Sequence, residues 1–389
     1  MKKIVYVTGS RAEYGIMKRL LLALDQDPEI ELTIVATGMH CDEKYGLTYK
    51  VIENDGLKID RLININIDTS NNAKILNSMS ICQSEFGQYF QNNKFDAVMV
   101  LGDRYEIFSV AIAAAMHNLP IIHLHGGEKT LGNYDEFIRH AITKMSKLHL
   151  ASTEEYRQRI IQMGEHPDTV FNVGALGAEN SILMDLPSKT QLETKFGSLQ
   201  KPYFMVVFHP ETLTLVSPSE QVTELLNALS EFSEQYDFLF IGSNSDTGSD
   251  EITEKVKTFC IKTDSRFMVS VESEEYLSLN KYSQGLIGNS SSGLIEIPSL
   301  HIPTINIGDR QKGRVRGDTV IDSVCEQKII MNAIKQSQNI EFKNKIDKVI
   351  NPYYQCGVLD KALQCVKRFV FFDLLSQKDF YDFNDKDTK

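Results

Sequence analysis

Short apolar runs alternate along the chain with amphipathic stretches of helical period, and most runs stop at a small polar cluster. Residues 4–7 predict a first strand, which ends in Thr8-Gly9-Ser10-Arg11-Ala12-Glu13-Tyr14-Gly15, and helical period follows from 16 to about 25. Residues 32–36 predict the second strand, ending at Thr37-Gly38-Met39-His40. A turn at Asn54-Asp55-Gly56 precedes another short strand, and a helix pattern runs from about 73 to 90. The run 98–101 stops at Gly102-Asp103-Arg104, a helix is expected from 105 to about 117, and the run 120–124 ends in His125-Gly126-Gly127-Glu128. Helices near 134–145 and 154–163 and strands at 148–151 and 171–173 complete this half.

Residues 177–202 carry Pro187, Ser188, Gly197 and Pro202 and read as a linker. A second alternation begins at Tyr203. Strands are expected at 204–208, 238–241, 267–271, 286–287 and 304–307, the last of these being the last clear strand. Helices are expected at 220–235, 252–259, 276–282 and from about Leu294. Apolar strands alternating with helices imply α/β architecture with parallel sheets. Two such runs around a break imply two Rossmann-like domains facing a cleft, 1–176 and 177–370, with a charged tail at 371–389. Ligands of such sheets sit beyond the carboxyl ends of the strands, where the polar clusters fall.

The 389 residues suffice for two domains, and 42% hydrophobic with 24% charged residues describes a globular chain. A net charge of -11 argues against nucleic acid or a membrane surface as partner. It leaves room for a small anion held by local arginines. The six cysteines are scattered without CxxC or zinc spacing, and the first apolar run is too short for a signal peptide. A cytoplasmic protein with free thiols and no metal is expected. The first loop is not GxGxxG, which weighs against a nicotinamide cofactor.

Candidate chemistry follows the loops. Gly288-Asn289-Ser290-Ser291-Ser292-Gly293 lies between an apolar run and a new helix, where backbone N–H groups and hydroxyls favour a phosphate. Glu296 is either an acceptor for ribose hydroxyls or the partner of a serine cap. Of the four cations in Arg310-Gln311-Lys312-Gly313-Arg314-Val315-Arg316, Arg310 and Arg314 are preferred for a diphosphate. Arg11 and His209 end strands and are candidates for anion contact; a helix cap and a packed histidine are the plainer alternatives. Asp103, His125, Glu128, Asp135, Glu136 and His140 supply proton carriers in one stretch.

The segments TGSRAEYG, ATGMHCDEKYG, VLGDRYE, HLHGGEKT, YDEFIRHAITK, FHPET, GSNSDTGSD, GNSSSGLIE and INIGDRQKGR span nearly the whole chain. Together they resemble the hydrolysing UDP-N-acetylglucosamine 2-epimerases of bacterial sialic-acid capsule synthesis. The resemblance implies a glycosyltransferase-B-like fold with UDP held mainly by the second domain and a C-terminal helix crossing back onto the first. It implies anti elimination of UDP to 2-acetamidoglucal, then hydration to N-acetylmannosamine, without a cofactor. By motif, Asp103 and Asp135 are catalytic. The family's third carboxylate position is occupied by His125, so either His125 or Glu128 takes that role. Arg11, His209, Ser290, Ser291, Glu296 and Arg314 are the implied UDP contacts, in a homo-oligomer (dimer or tetramer). The rival readings are the same chemistry on a UDP-2,4-diacetamido-trideoxyhexose, a non-hydrolysing epimerase, a glycosyltransferase of this fold, and a non-catalytic UDP-sugar sensor.

Overall fold

The apolar runs form two sheets, both parallel throughout. A computed structural model describes residues 1–374 and 377–382. The first sheet contains β1 (Lys2–Thr8), β2 (Ile30–Thr37), β3 (Ile59–Ile63), β4 (Ala97–Leu101), β5 (Ile121–Leu124), β6 (Leu148–Ala151) and β7 (Val170–Asn172), in the order β3-β2-β1-β4-β5-β6-β7. The second contains β8 (Tyr203–Val207), β9 (Asp237–Ile241), β10 (Arg266–Met268), β11 (Leu286–Gly288), β12 (Thr304–Ile307) and β13 (Val320–Ser323), in the order β10-β9-β8-β11-β12-β13. Central strands are covered on both faces, which is why Ala97–Leu101 is buried at every position.

Each sheet reverses direction of growth once, between β1 and β4 in the first and between β8 and β11 in the second. Loops leaving adjacent strands diverge there and open a crevice. The first crevice carries Arg11 and Asp103, and the second carries His209 and Ser290. Both open onto one cleft.

Three expectations need correction. Residues 177–202 are not a plain linker: helices Leu176–Leu183 and Lys189–Phe196 occupy most of it. Ser188 marks a helix start there, in a capping box with Gln191. A further strand, β13, follows Thr304–Ile307 and pairs with it at the sheet edge. Its one exposed central residue, Asp322, breaks the apolar run that would have signalled it.

The third correction concerns the domain boundary. Helix Val358–Arg368 is amphipathic, with Val358, Ala362 and Val366 on one face at spacings of four. That face, extended by Phe369 and Val370, is buried in the first sheet's core with Tyr14, Met17, Leu20 and Leu24. Residues 358–370 therefore pack on the first domain although they were assigned to the second, and the crossing begins well before residue 371. In the expected tail, Tyr381 N–H donates to Gly164 O at 2.9 Å, and Lys378 pairs with Glu165. Residues 375–376 and 383–389 of that tail lie outside the described residues. Among the described residues no helix is long and apolar enough to cross a membrane.

Phe369 is 2% exposed. Phe369→Ala is expected to cost about 3–5 kcal/mol by leaving a cavity in the first core. The measurement is the urea midpoint of unfolding; an unchanged midpoint would mean that this segment is not part of the core.

Candidate active site

In the first domain, β1 leads two residues on to Ser10, which caps helix Arg11–Asp25 by accepting from Glu13 N–H. Arg11 is thus the first helical residue rather than a loop residue. Its Nε is buried without a hydrogen-bond partner, and burial lowers its pKa, opposed by Tyr276 and Glu296. Beyond β4, Asp103 pairs with Arg139. Arg139 is fully buried and also donates to Glu128 O and Thr130 Oγ1, both at 3.0 Å. Asp103 is therefore held by a guanidinium that cannot itself move.

His125 follows β5 with a φ of 63°, in the left-handed region. Its Nδ1 lies 2.7 Å from Glu128 Oε1, which also accepts from Ser152 Oγ at 2.8 Å. Glu128 Oε2 makes an ion pair of 2.7 Å with Arg314 Nη2 across the cleft. Burial alone would raise the Glu128 carboxyl, but Arg314 and then His125 hold it down at about 2. An ionised carboxylate accepts only, so Nδ1 donates to Glu128 and, in the neutral ring, Nε2 presents a lone pair. His125 lines the cleft and Glu128 stands behind it.

Asp135 opens helix Asp135–Met145. Asn133 Nδ2 donates to it at 3.1 Å, and Arg310 Nη2 is 3.7 Å away. Burial and then Asp246 push its carboxyl up to about 6, against Arg310.

In the second domain, β8 delivers His209, whose backbone exchanges two hydrogen bonds of 2.8 Å with the Asn289 side chain. Asn244 N–H donates to His209 Nδ1 at 3.1 Å. The proton therefore sits on Nε2, and burial, with Arg310 and Arg104, keeps the ring neutral. His209 is a fixed N–H donor rather than a proton shuttle. In the serine loop, Ser292 Oγ lies 2.6 Å from Tyr276 OH and 3.0 Å from Ser290 Oγ, so the hydroxyls of Ser290 and Ser292 are tied to one another.

The helix expected from Leu294 begins at Ser292 and ends at Ile295, and a 3-10 turn over Ile297–Leu300, with Pro298 near its start, follows at once. So short a helix contributes little dipole; the serine hydroxyls and backbone N–H groups carry the anion pocket. Gly293 does not line the cleft: a Cβ there would lie 2.5 Å from Thr304 Cγ2, so it serves close packing. Glu296 lies on the cleft wall, its carboxyl raised by burial and opposed by Arg11. Arg310 Nη1 donates to Asn289 O at 3.1 Å, while its Nε and the Nε and Nη1 of Arg314 are buried without hydrogen-bond partners.

One cleft thus joins Asp103, His125 and Asp135 to Arg11, His209, Ser290, Ser291, Ser292, Glu296, Arg310 and Arg314. His40 is elsewhere, buried between Thr8 and Thr48 as a core histidine. Several residues on the walls were not singled out from sequence. Arg104 Nε binds Glu106 Oε1 at 2.5 Å, and its Nη2 binds Ser245 Oγ of the other domain at 2.6 Å. Glu13, pushed up to about 8 by burial and then by Glu106, shares that guanidinium. The Ser10-to-Glu13 capping spacing was a usable signal for Glu13; nothing local marks Glu106. Among the described residues no His, Cys, Asp and Glu group is arranged to hold a metal.

A cationic, hydroxyl-lined pocket facing proton carriers, between two parallel-sheet domains, defines a glycosyltransferase-B-like nucleotide-sugar fold. The chain belongs to the UDP-N-acetylglucosamine 2-epimerase family, whose model matches residues 22–367. It is 59% identical over 382 residues to the polysialic acid biosynthesis protein P7 of Escherichia coli, covering 98% of each chain. It is 36% identical to the GDP/UDP-N,N'-diacetylbacillosamine 2-epimerase (hydrolyzing) of Campylobacter jejuni, over 98% of this chain and 99% of the relative. The fold matches the crystal structure of UDP-GlcNAc 2-epimerase from Neisseria meningitidis bound to UDP-GlcNAc with a TM-score of 0.78, at 18% identity over 94% of this chain and 100% of that one.

The raised Asp135 carboxyl sets a pH dependence. Its folded pKa lies above the unfolded value, so the folded state binds more protons between about pH 4 and 6 and loses stability as pH rises through that window. Asp135→Asn removes the penalty. It should stabilise the protein at pH 8 on the order of 3 kcal/mol and converge with wild type below about pH 4. Equal melting temperatures at pH 8 would contradict this environment for Asp135.

Proposed function

We propose that this protein is a hydrolysing 2-epimerase that converts UDP-N-acetylglucosamine and water into N-acetylmannosamine and UDP, feeding sialic acid synthesis. The observation that carries the reading is the division of the cleft. Asp103, His125 and Asp135 face it from one domain, and His209, Ser290, Ser291, Arg310 and Arg314 face it from the other.

The sugar's C2 proton has no adjacent carbonyl to acidify it, so its removal must be coupled to loss of a stabilised leaving group. His125 Nε2, aimed by Glu128, takes the proton from C2. The C2–H electron pair becomes the C1=C2 bond, and the C1–O pair leaves on the diphosphate. Cationic charge develops at C1 as that bond breaks, and Asp103, fixed by Arg139, stabilises it. Water then bonds its oxygen to C1 of the glucal and sheds one proton to solvent while the C1=C2 pair takes up a proton at C2 on the opposite face, and the proton held by His125 also returns to solvent. Asp135, whose carboxyl burial and then Asp246 push up to about 6, supplies the C2 proton and is reprotonated from solvent. The diphosphate is met by the His209 Nε2–H, the serine loop and the free N–H groups of Arg310 and Arg314; Glu296 is placed for the ribose hydroxyls. Glu128 is a positioning residue in this scheme.

A second reading is favoured by the Campylobacter relative at 36% identity: the same chemistry on a UDP-diacetamido-trideoxy sugar. Proton NMR in heavy water with each sugar nucleotide separates the two. Free UDP and N-acetylmannosamine with deuterium at C2 are expected from UDP-N-acetylglucosamine; retention of UDP on the product sugar would overturn the hydrolytic reading.

Asp103→Asn and His125→Ala are each expected to lower kcat by about 10²–10⁴-fold, the usual contribution of a proton carrier or charge stabiliser. UDP affinity by calorimetry should change little. Full turnover in His125→Ala would return the third role to Glu128.

A further inference from the structure

Glu128 and Arg314 do more than hold one residue each. His125 Nδ1, the Glu128 carboxylate and Arg314 Nη2 lie in series, with 2.7 Å at both steps. Beyond Nη2 the guanidinium still has Nε and Nη1 buried without hydrogen-bond partners, on the wall of the cleft that the serine loop also lines. The series crosses the domains: Glu128 follows β5 and Arg314 follows β12. At one end it touches the group that takes the proton, and at the other the pocket that takes the diphosphate.

We propose that Glu128 and Arg314 form an alternating-charge link through which proton removal by His125 and departure of the diphosphate assist each other. This rests on the elimination reading above. In that step a positive charge appears on the imidazole and a negative charge on the leaving oxygen. Both appear at the ends of a line that already reads carboxylate then guanidinium, so each new charge meets its opposite. As the diphosphate gains charge it draws on Arg314, and the Glu128 carboxylate is left to the imidazolium. The reverse holds if either charge is removed. Arg314 is therefore a diphosphate ligand that also conditions the base, and Glu128 conditions the leaving-group site without touching it.

The link gives opposite signs in two variants, which a merely structural role would not. The charged and titratable groups facing His125 are Glu128 on its own loop, Glu296 from the second domain and His123 on β5. Only the first changes in Glu128→Gln. The acid limb of kcat/KM should then move to lower pH by about one unit, because the imidazolium loses its anion. Arg314→Gln leaves the carboxylate unopposed, and the limb should move to higher pH. Arg314→Lys keeps the charge and should hold the limb near the wild-type position. Glu128→Gln should also bind UDP at least as tightly as wild type, because Arg314 is no longer shared. In the double variant Glu128→Gln/Arg314→Gln, kcat should be no lower than in the worse single variant.

Limbs moving in the same direction, weakened UDP binding in Glu128→Gln, or additive losses in the double variant would overturn the link. The wild type is assayed first by UDP release. If UDP-N-acetylglucosamine yields no UDP, the function fails independently; if it does and the limbs do not diverge, only the link fails.

Discussion

Buried charge is the constraint on which this molecule is built. An ion taken out of water without a partner costs several kcal/mol even after relaxation, and each domain brings charges it cannot satisfy alone. Glu128 is fully buried and ends at Arg314 of the other domain. Arg104 reaches over to Ser245, and Tyr134 donates to Asp246. These pairs select one mutual arrangement of the sheets. Where backbones must also approach, the chain has no side chain to obstruct it: a Cβ on Gly132 would lie 2.6 Å from the Asp309 backbone. The same closure that satisfies the charges sets Asp103, His125 and Asp135 into one cleft with the serine loop, Arg310 and Arg314.

The linkage between domains follows from a second economy. The chain leaves the first domain after β7 and returns before Val358, so the last long helix is buried beside the helix that carries Arg11. Packing in that core therefore bears directly on the position of the cleft wall. Glu179 reinforces it, accepting from Val358 N–H at 2.9 Å and pairing with Arg19 at 3.0 Å. The two crossings lie side by side, with Ala175 N–H donating to Tyr353 O at 2.9 Å.

The strand mouths were legible because a parallel sheet needs continuous apolar runs, and Val98–Leu101 can be little else. What the sequence did not disclose depends on partners distant along the chain. Val358, Ala362 and Val366 show that a helix has a buried face but not whose core receives it. β13 was hidden because an edge strand tolerates Asp322. Helix Leu176–Leu183 was hidden because Gly177 looks like a breaker until Glu296 is seen against it. In the site, the cations of the 310–316 loop were visible as charge, but their division of labour was not. Gly293 read as a phosphate loop residue because the pattern cannot separate close packing from ligand approach. Arg139, inside the quoted YDEFIRHAITK segment, carries no signal of its own in the sequence, although it is among the most deeply buried side chains of the described residues.

The histidine at the position where the resembled family carries a carboxylate illustrates how one substitution demands others. A carboxylate facing a diphosphate in a buried cleft repels it, whereas a neutral imidazole does not. The imidazole, however, has two nitrogens and must be told which one to offer. Glu128 does so, but a carboxylate behind the ring would over-stabilise the imidazolium if left alone, and Arg314 opposes it. The backbone pays a part as well, since His125 sits at a φ of 63°, a conformation that costs a non-glycine residue about 1–3 kcal/mol. Gly126 and Gly127 then allow the loop to be clamped against Thr143 and Tyr156, so the strained residue cannot relax away from the cleft. In the proposed reaction a proton acceptor held this firmly needs a leaving group held as firmly on the other side, and the charges that close the two domains hold both.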